Sequence, residues 1–404
     1  MFDQTFILEY NYNIVLSIFL ILIFVRPLIS SLAFAYLNHI YSTILLGFLI
    51  IWLIKRPLAL KKVEPLKWPL LLLLMALAFS SIFSVDKINS LKELYKYISG
   101  LLLFLIAACL TYEEKIRTVK TIILAGFFIS LLAIYQYLFG FQHILEYFSG
   151  KEKLSAFALD YIQRRRVFLP FVTPNTLGGF LAMTAPLILP LLNKQKKIFS
   201  NPPLLFLASI SFAILLSKSL GALLSIFLGL VIYFYLGELL NRNHHKQVPT
   251  KDKKILLFVP LFLILIALVF FVRQLSAKPH ILPGFSLLMR LNYWGETLEI
   301  IKARPLTGMG LGNFNLVFSR YAHNSYLQIW AEMGILGIIA FLWLVFAVFK
   351  SALKRIGEPT NARFTAGLIS ANAVFLIHNL ADFSFFLPEV SIVWWALLGL
   401  TTSE

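Results

Sequence analysis

Apolar residues run through this chain in long blocks separated by short polar loops. A helix needs roughly 20 mostly apolar residues to cross the hydrocarbon core of a bilayer. By that measure the sequence predicts about twelve spanning helices, near 7–26, 36–54, 68–85, 97–112, 119–140, 174–192, 203–217, 219–238, 255–273, 325–349, 362–382 and 387–402. The first apolar run, about Asn13 to Val25, ends at Arg26-Pro27 with no small-residue cleavage site and is read as a retained helix. Only Ser217-Lys218-Ser219 separates the seventh block from the eighth. Two longer, less apolar segments interrupt the series, 141–173 and 274–324. In the second, residues 286–303 predict an amphipathic helix, with Leu287, Leu291, Trp294, Leu298 and Ile301 forming one stripe that lies on the membrane surface or caps the bundle. The expected fold is an all-α polytopic membrane protein, a single transmembrane domain over residues 1–404.

Composition agrees with lipid rather than water as the main solvent. The chain is 59% hydrophobic and 14% charged, has 38 Phe among its 404 residues, and shows a mean hydropathy of +0.82. A soluble domain is nearer half apolar and a quarter charged. The lone cysteine, Cys109, lies in an apolar run and supports neither a disulfide framework nor a thiolate metal cage.

The formal charge of +17 is explained by where the cations lie, without nucleic acid. Twenty of the 36 lysines and arginines fall in five short loops on one side, for example Lys55, Arg56, Lys61, Lys62 and Lys67. The positive-inside rule puts those loops, and with an even count of spans both termini, in the cytoplasm. The opposite segments are rich in arginine instead: Arg164, Arg165, Arg166, Arg273, Arg290, Arg304 and Arg320. Lysine suffices for topology, whereas arginine presents a planar fork that grips a phosphate at two points.

Several candidates for chemistry lie in or beside those segments. Arg164, Arg165 and Arg166 precede Pro174-Asn175, and Asn175 is expected at or near a helix start as its N-cap, where an anion would bind. Arg290 sits near the edge of the amphipathic stripe and reads equally as a cation snorkelling to headgroups. The glycines of Pro305–Phe314 lack a preceding strand and a P-loop lysine, so they are read as a turn that positions the His323 segment, not a nucleotide site. His323-Asn324 begins the stretch HNSYLQIWAEMGILG, which ends in Gly334 and Gly337. His378-Asn379, with Asp382 one turn on, repeats the pair inside a span, where it serves either function or helix packing. The outer segments hold no cluster spaced to bind a metal, and no cofactor is expected.

His323-Asn324, nine residues, Gly334, two residues and Gly337 resemble the signature of the O-antigen ligase and Wzy-type polymerase superfamily of bacterial inner-membrane glycosyltransferases. Arg290 with Trp294 and the glycine segment looks like that family's large periplasmic loop. Arg166, nine residues before Asn175, looks like its earlier arginine element, although Leu169 stands where the family often has glycine. The likeness covers roughly residues 160–400.

The resemblance implies a GT-C-like fold with a first periplasmic segment, 141–173, and a large periplasmic loop, 274–324, that carries the active site. It implies transfer of a glycan from undecaprenyl pyrophosphate to lipid A-core or another surface glycolipid, without metal and with inversion. His323 would be the general base, and Arg166 and Arg290 would bind the pyrophosphate. Asn175, Asn324, Gly334, Gly337, Arg165 and His378 would support them. Chain polymerisation and protein O-glycosylation are the neighbouring alternatives. A polysaccharide transporter is the reading from another class, and it lacks the internal repeats it should show.

Overall fold

The computed structural model describes residues 4–55, 60–148, 156–192, 201–244, 285–355 and 362–402. The chain forms α1 (Gln4–Val25), α2 (Ala35–Lys55), α3 (Lys67–Ile82), α4 (Lys87–Cys109), α5 (Tyr112–Tyr135), α6 (Phe141–Phe148) and α7 (Ala156–Gln163). It continues with α8 (Pro174–Ile188), α9 (Pro202–Ser217), α10 (Leu220–His244), α11 (Phe285–Ala303), α12 (Ser325–Arg355), α13 (Ala362–His378) and α14 (Pro388–Thr401). No strand occurs among the described residues. Each expected span falls on one of these helices, except 255–273, which lies outside the described residues.

Five helical stretches are long and apolar enough to cross a bilayer: Ala35–Lys55, Lys62–Ile82, Tyr112–Ile144, Leu220–Glu238 and Ser325–Lys354. Shorter apolar runs lie in α1, α9, α13 and α14. Large apolar side chains such as Ile21, Ile54, Met75 and Phe346 are exposed on the helix surfaces. Such a surface suits lipid, because a soluble monomer rarely exposes extended apolar area.

Local chemistry sets the helix ends. The Asp86 carboxylate accepts from Ile88 N at 2.9 Å and Asn89 N at 3.2 Å and so starts α4. Thr111 and Glu114 form a capping box at α5. Lys218, left-handed at φ 51°, closes α9 and confirms the break expected between the seventh and eighth spans. One cap differs from expectation. Thr173, not Asn175, caps α8: its Oγ1 accepts from Thr176 N at 3.1 Å and Pro174 takes the first helical position. A hydroxyl ahead of proline has the geometry of a cap, and Asn175, already inside the helix, is released for another partner.

Hydrogen bonds tie alternate corners together at one end of the bundle. Ser31 N donates to Glu389 at 3.1 Å, joining the α1–α2 corner to the start of α14. Asn313 Nδ2 donates to Ser84 Oγ at 2.7 Å, joining the α3–α4 corner to the glycine segment. Ser325 Oγ donates to Asn379 Oδ1 at 2.7 Å, joining the start of α12 to the end of α13.

The helical run of α12 is broken at Gly334, with φ 67° and ψ −172°. The segment Pro305–Gly310 lies in the break. Ile335 N donates to Pro305 O at 2.9 Å, Met309 N to Ala331 O at 2.9 Å and Gly310 N to Glu332 O at 3.0 Å. A side chain at Gly334 would run into the Leu306 carbonyl. The expected role of the glycine segment as a positioning turn thus acquires a seat.

α11 exists as expected, and its stripe divides between the protein, which takes Ile301 and part of Trp294, and the outer surface, which takes the leucines. Leu287, Leu291 and Leu298 are exposed, whereas Tyr293, Thr297 and Ile301 are buried. Tyr293 and Ile301 cluster with Phe314, Leu316, Ala322 and Ala331. The leucines that define the sequence pattern are the ones left for lipid, which a pattern argument alone does not separate from a core face.

Gly334→Ala should destabilise the protein by more than about 1 kcal/mol, since alanine is strained at positive φ and has no room. Thermal unfolding of the purified protein in detergent checks this; an unchanged midpoint would mean that the break relaxes freely.

Candidate functional site

The three consecutive arginines have three different fates. Arg164 pairs with Asp160, Nε to Oδ1 2.6 Å, and its carbonyl accepts from Lys218 Nζ at 2.7 Å. Arg165, at φ 48°, donates to Tyr137 O at 2.9 Å and lies 4.9 Å from the Tyr137 ring centroid. Arg166 alone turns inward and is buried. Its Nε donates to Ser217 O at 3.1 Å and its Nη2 to Asn175 Oδ1 at 3.1 Å, and its guanidinium lies 5.5 Å from the Tyr161 ring centroid. The arginine singled out by spacing is the one that enters the bundle, and Asn175 is its partner.

The Arg166 loop is held from below. Residues Gln136–Gly140 form a π-turn at the end of α5. Buried Gln136 Oε1 accepts from Phe168 N at 2.7 Å and Leu169 N at 2.9 Å. No motif in the sequence points to Gln136. A glutamine ahead of a glycine at a helix end is its sole signal.

His323 lies just before α12, at φ 53°. Its ring stacks on Tyr293 of α11 at 5.5 Å with 19° between planes, and meets Phe383 edge-on at 4.8 Å. Its Nδ1 is buried without a hydrogen-bond partner. Asn324, by contrast, is structural. Its Oδ1 caps α12, accepting from Tyr326 N at 3.0 Å and Leu327 N at 3.1 Å. Gly337 is crowded by the Met333 side chain. The signature therefore reads as imidazole, helix cap, about two and a half turns, and the break at Gly334.

Arg290, on α11, reaches this place. One nitrogen, Nη1, donates to Ser286 Oγ at 3.2 Å, while Nε is buried with no hydrogen-bond partner. Burial lowers its affinity for a proton, and the charges of Asp382 and Tyr161 restore part of it. A guanidinium nonetheless stays charged in protein surroundings. Burial likewise pushes the His323 imidazole down to about 4, Asp382 raising it and Arg290 lowering it further. Tyr161 is within electrostatic reach of Arg166, Asp382 and Arg290 together. Arg166 and Arg290 thus both act on Tyr161, and Arg290 and Asp382 both act on His323, so three separate parts of the sequence are linked at this end through Arg290 and Asp382.

His378 sits deeper. Its ring fills space opposite Gly179 and Gly221, and its Nε2 lies 3.5 Å from Asp382 Oδ2. Asp382 also hydrogen-bonds the Ser384 hydroxyl. Arg164 and Arg165 do not turn inward: the first is held by Asp160 and the second points toward Tyr137.

Helices of this length and apolarity, with large apolar side chains on their outer surfaces, define a multi-pass integral membrane protein. Residues 204–342 match the O-antigen ligase family (Wzy_C), so the resemblance carried by the His323 signature is borne out over this segment. The matched residues hold both Arg290 and His323. Members of that family are ligases and glycosyltransferases of lipid-linked glycans. Among curated proteins none matches the chain.

At neutral pH the His323 ring is neutral. Its folded-state value lies below the unfolded value, near 6.5, so its contribution to stability falls as pH drops from 6.5 toward 4. In a nitrogen-resolved NMR titration, the resonance lost in a His323→Gln variant should titrate near 4. A midpoint at about 6 or above, the ordinary range of an exposed imidazole, would refute the buried, neutral ring.

Proposed function

We propose that this protein is an O-antigen ligase-like glycosyltransferase of the bacterial inner membrane. It moves a glycan from undecaprenyl pyrophosphate to lipid A-core or a related surface glycolipid. The observation that carries this reading is the convergence of Arg166 and Arg290 with His323 at one end of the bundle, inside a chain matching the O-antigen ligase family over residues 204–342. Twelve crossings, cytoplasmic termini, a GT-C-like arrangement and periplasmic segments 141–173 and 274–324 complete the topology. The loop charges support it, since the lysines lie opposite the arginine cluster.

The chemistry follows from the groups present. A lipid-linked donor enters sideways from the membrane, and its diphosphate meets the buried guanidinium of Arg166 and the half-buried one of Arg290. One of them, Arg290, has a free Nε donor. Neutral His323 takes the proton from an acceptor hydroxyl as that oxygen attacks the anomeric carbon. The bond from that carbon to the pyrophosphate oxygen breaks, and its electron pair leaves with the pyrophosphate. Arg166 and Arg290 hold the charge that develops there, the work a divalent ion does in metal-dependent transferases. Attack in one displacement inverts the carbon. Asp382 offsets the positive charge on the imidazolium. The bound diphosphate also raises the proton affinity of the imidazole, bringing a ring titrating near 4 toward a useful base.

Chain polymerisation is the second reading, because the matched family includes Wzy-type polymerases. The product tells them apart: glycan joined to the core, or glycan lengthened on its carrier.

The test is transfer by purified protein from an undecaprenyl-pyrophosphate glycan to lipid A-core, with chelator present. His323→Ala should lose at least about a hundredfold in rate while remaining folded and inserted. Arg290→Lys should lose roughly tenfold, since lysine keeps the charge but not the fork. Near-normal turnover by His323→Ala would remove the base, and loss of activity on chelation with rescue by a divalent ion would remove the metal-free mechanism.

A further inference from the structure

Phe383 carries two rings. His323 meets it edge-on at 4.8 Å, and Tyr321 stacks on it at 4.3 Å with 11° between planes. His323 leads to Arg290 and Asp382 and through them to Tyr161 and Arg166; with the Arg164–Asp160 pair counted, three arginines stand there against two aspartates among the described residues. Tyr321 leads to a different set, in which, apart from exposed Arg320, each cation has its own carboxylate. Lys96 Nζ lies 2.6 Å from Glu93 Oε2, and Arg26 Nη2 lies 3.5 Å from Glu389 Oε2. The Tyr321 hydroxyl feels the charges of Lys96, Glu93 and Glu389 as well as that of Arg320.

A narrow crevice lined by Arg26, Ser42, Tyr95, Lys96 and Ser99 runs between α2 and α4 beside this set. Two of its lining groups, Arg26 Nε and Ser99 Oγ, are fully buried and have no hydrogen-bond partner. Buried polar atoms are almost always paired, so donors and acceptors left open in such a place point to a ligand group. The charge balance says which kind. A paired ammonium and carboxylate exert little net pull on a phosphate. They do offer one donor and one acceptor side by side, which is what a hydroxyl, donor and acceptor at once, requires.

We propose that Tyr321, Glu93 and Lys96 form the seat of an uncharged sugar of the acceptor glycan, with the crevice toward Arg26 and Ser99 receiving one of its hydroxyl arms. The crevice is too narrow for a sugar ring, so the ring stays beside Tyr321, which is only partly buried. Exposed Arg320, whose guanidinium lies 6.0 Å from the Tyr321 ring centroid, borders the seat and is free to move aside. The arrangement fits a direct displacement, in which the acceptor oxygen enters opposite the departing pyrophosphate: charge-surplus residues serve the leaving group and charge-balanced residues serve the incoming sugar. This assignment rests on the glycosyl-transfer reading above.

The experiment is the same reconstituted transfer, with the Michaelis constants for donor and lipid A-core acceptor measured separately. The variants are Tyr321→Ala, Tyr321→Phe and Glu93→Gln. Tyr321→Ala should raise the acceptor constant about tenfold and leave the donor constant within about twofold. Tyr321→Phe, which keeps the ring, should recover most of that loss. Glu93→Gln, nearly the same shape and therefore decisive should Tyr321→Ala fail to fold, should raise the acceptor constant alone. An unchanged acceptor constant in Glu93→Gln or in folded Tyr321→Ala, or a donor constant rising in step, overturns the assignment while the transfer reading stands. A parent protein that transfers nothing overturns the transfer reading and this seat with it.

Discussion

The break at Gly334 is the constraint on which the rest of the structure hangs. A backbone opened at the edge of a bilayer leaves amide and carbonyl groups that lipid cannot satisfy. Here the carbonyls of Ala331 and Glu332 accept from Met309 N and Gly310 N, and Ile335 N finds the Pro305 carbonyl. The Ser80 hydroxyl donates to Glu332 O as well, at 2.8 Å. The glycine segment is therefore fixed on α12, and with it the end of α11 that precedes it. Tyr293 of α11 is then brought against His323, at the start of the same helix. Arg290, one turn earlier on α11, arrives with it.

The cations at this end illustrate how arginine is used inside a membrane protein. A lone charge in the interior is expensive, and removing one partner of a buried pair typically costs about 3–5 kcal/mol. Arg26 meets that cost by pairing with Glu389 and donating to Asn38 Oδ1 at 2.7 Å. Its role is to hold the α1–α2 corner to α14. Arg166 is oriented by neutral acceptors, a carbonyl and an amide oxygen. Arg290 has still fewer hydrogen bonds, to a serine hydroxyl. At Arg290 a buried Nε is left without a partner, leaving open the charge the proposed transfer needs, whereas at Arg26 the charge is neutralised to join helices.

Much of this was legible in the sequence. Lipid forces the backbone to satisfy itself, so apolar blocks of the right length become helices, and the polar turn at Ser217–Ser219 divides two of them as expected. The His323 signature and the spacing of Arg166 from Asn175 also held, because each reflects a local contact: a cap followed by a helix, and a side-chain hydrogen bond. Pattern alone could not supply the long-range contacts. Thr173 takes the cap assigned to Asn175 because proline fixes the next residue. The stripe of α11 divides, its leucines facing outward while Ile301 joins Tyr293 and Thr297 against the protein. Tyr161, which feels the charge of both arginines, lies in a short helix with no motif at all, and Gln136 acts on a loop 32 residues away.

The fixed distance within the signature follows from the same geometry. Nine residues, Ser325 to Met333, fill the helix between the Asn324 cap and the Gly334 break. At about 1.5 Å per residue that piece is about 13 Å long, and each added residue turns it by about 100°. One end is pinned by the glycine segment in the break. The other is pinned by Ser325, whose N donates to Asn379 O at 3.0 Å and whose hydroxyl donates to Asn379 Oδ1. A helix held at both ends admits no other length, since one residue more or fewer would swing His323 off Tyr293 and Phe383. The spacing is thus a rigid rod between two clamps, and the imidazole takes its position from the rod rather than from its own hydrogen bonds, which leaves its Nδ1 open for a ligand.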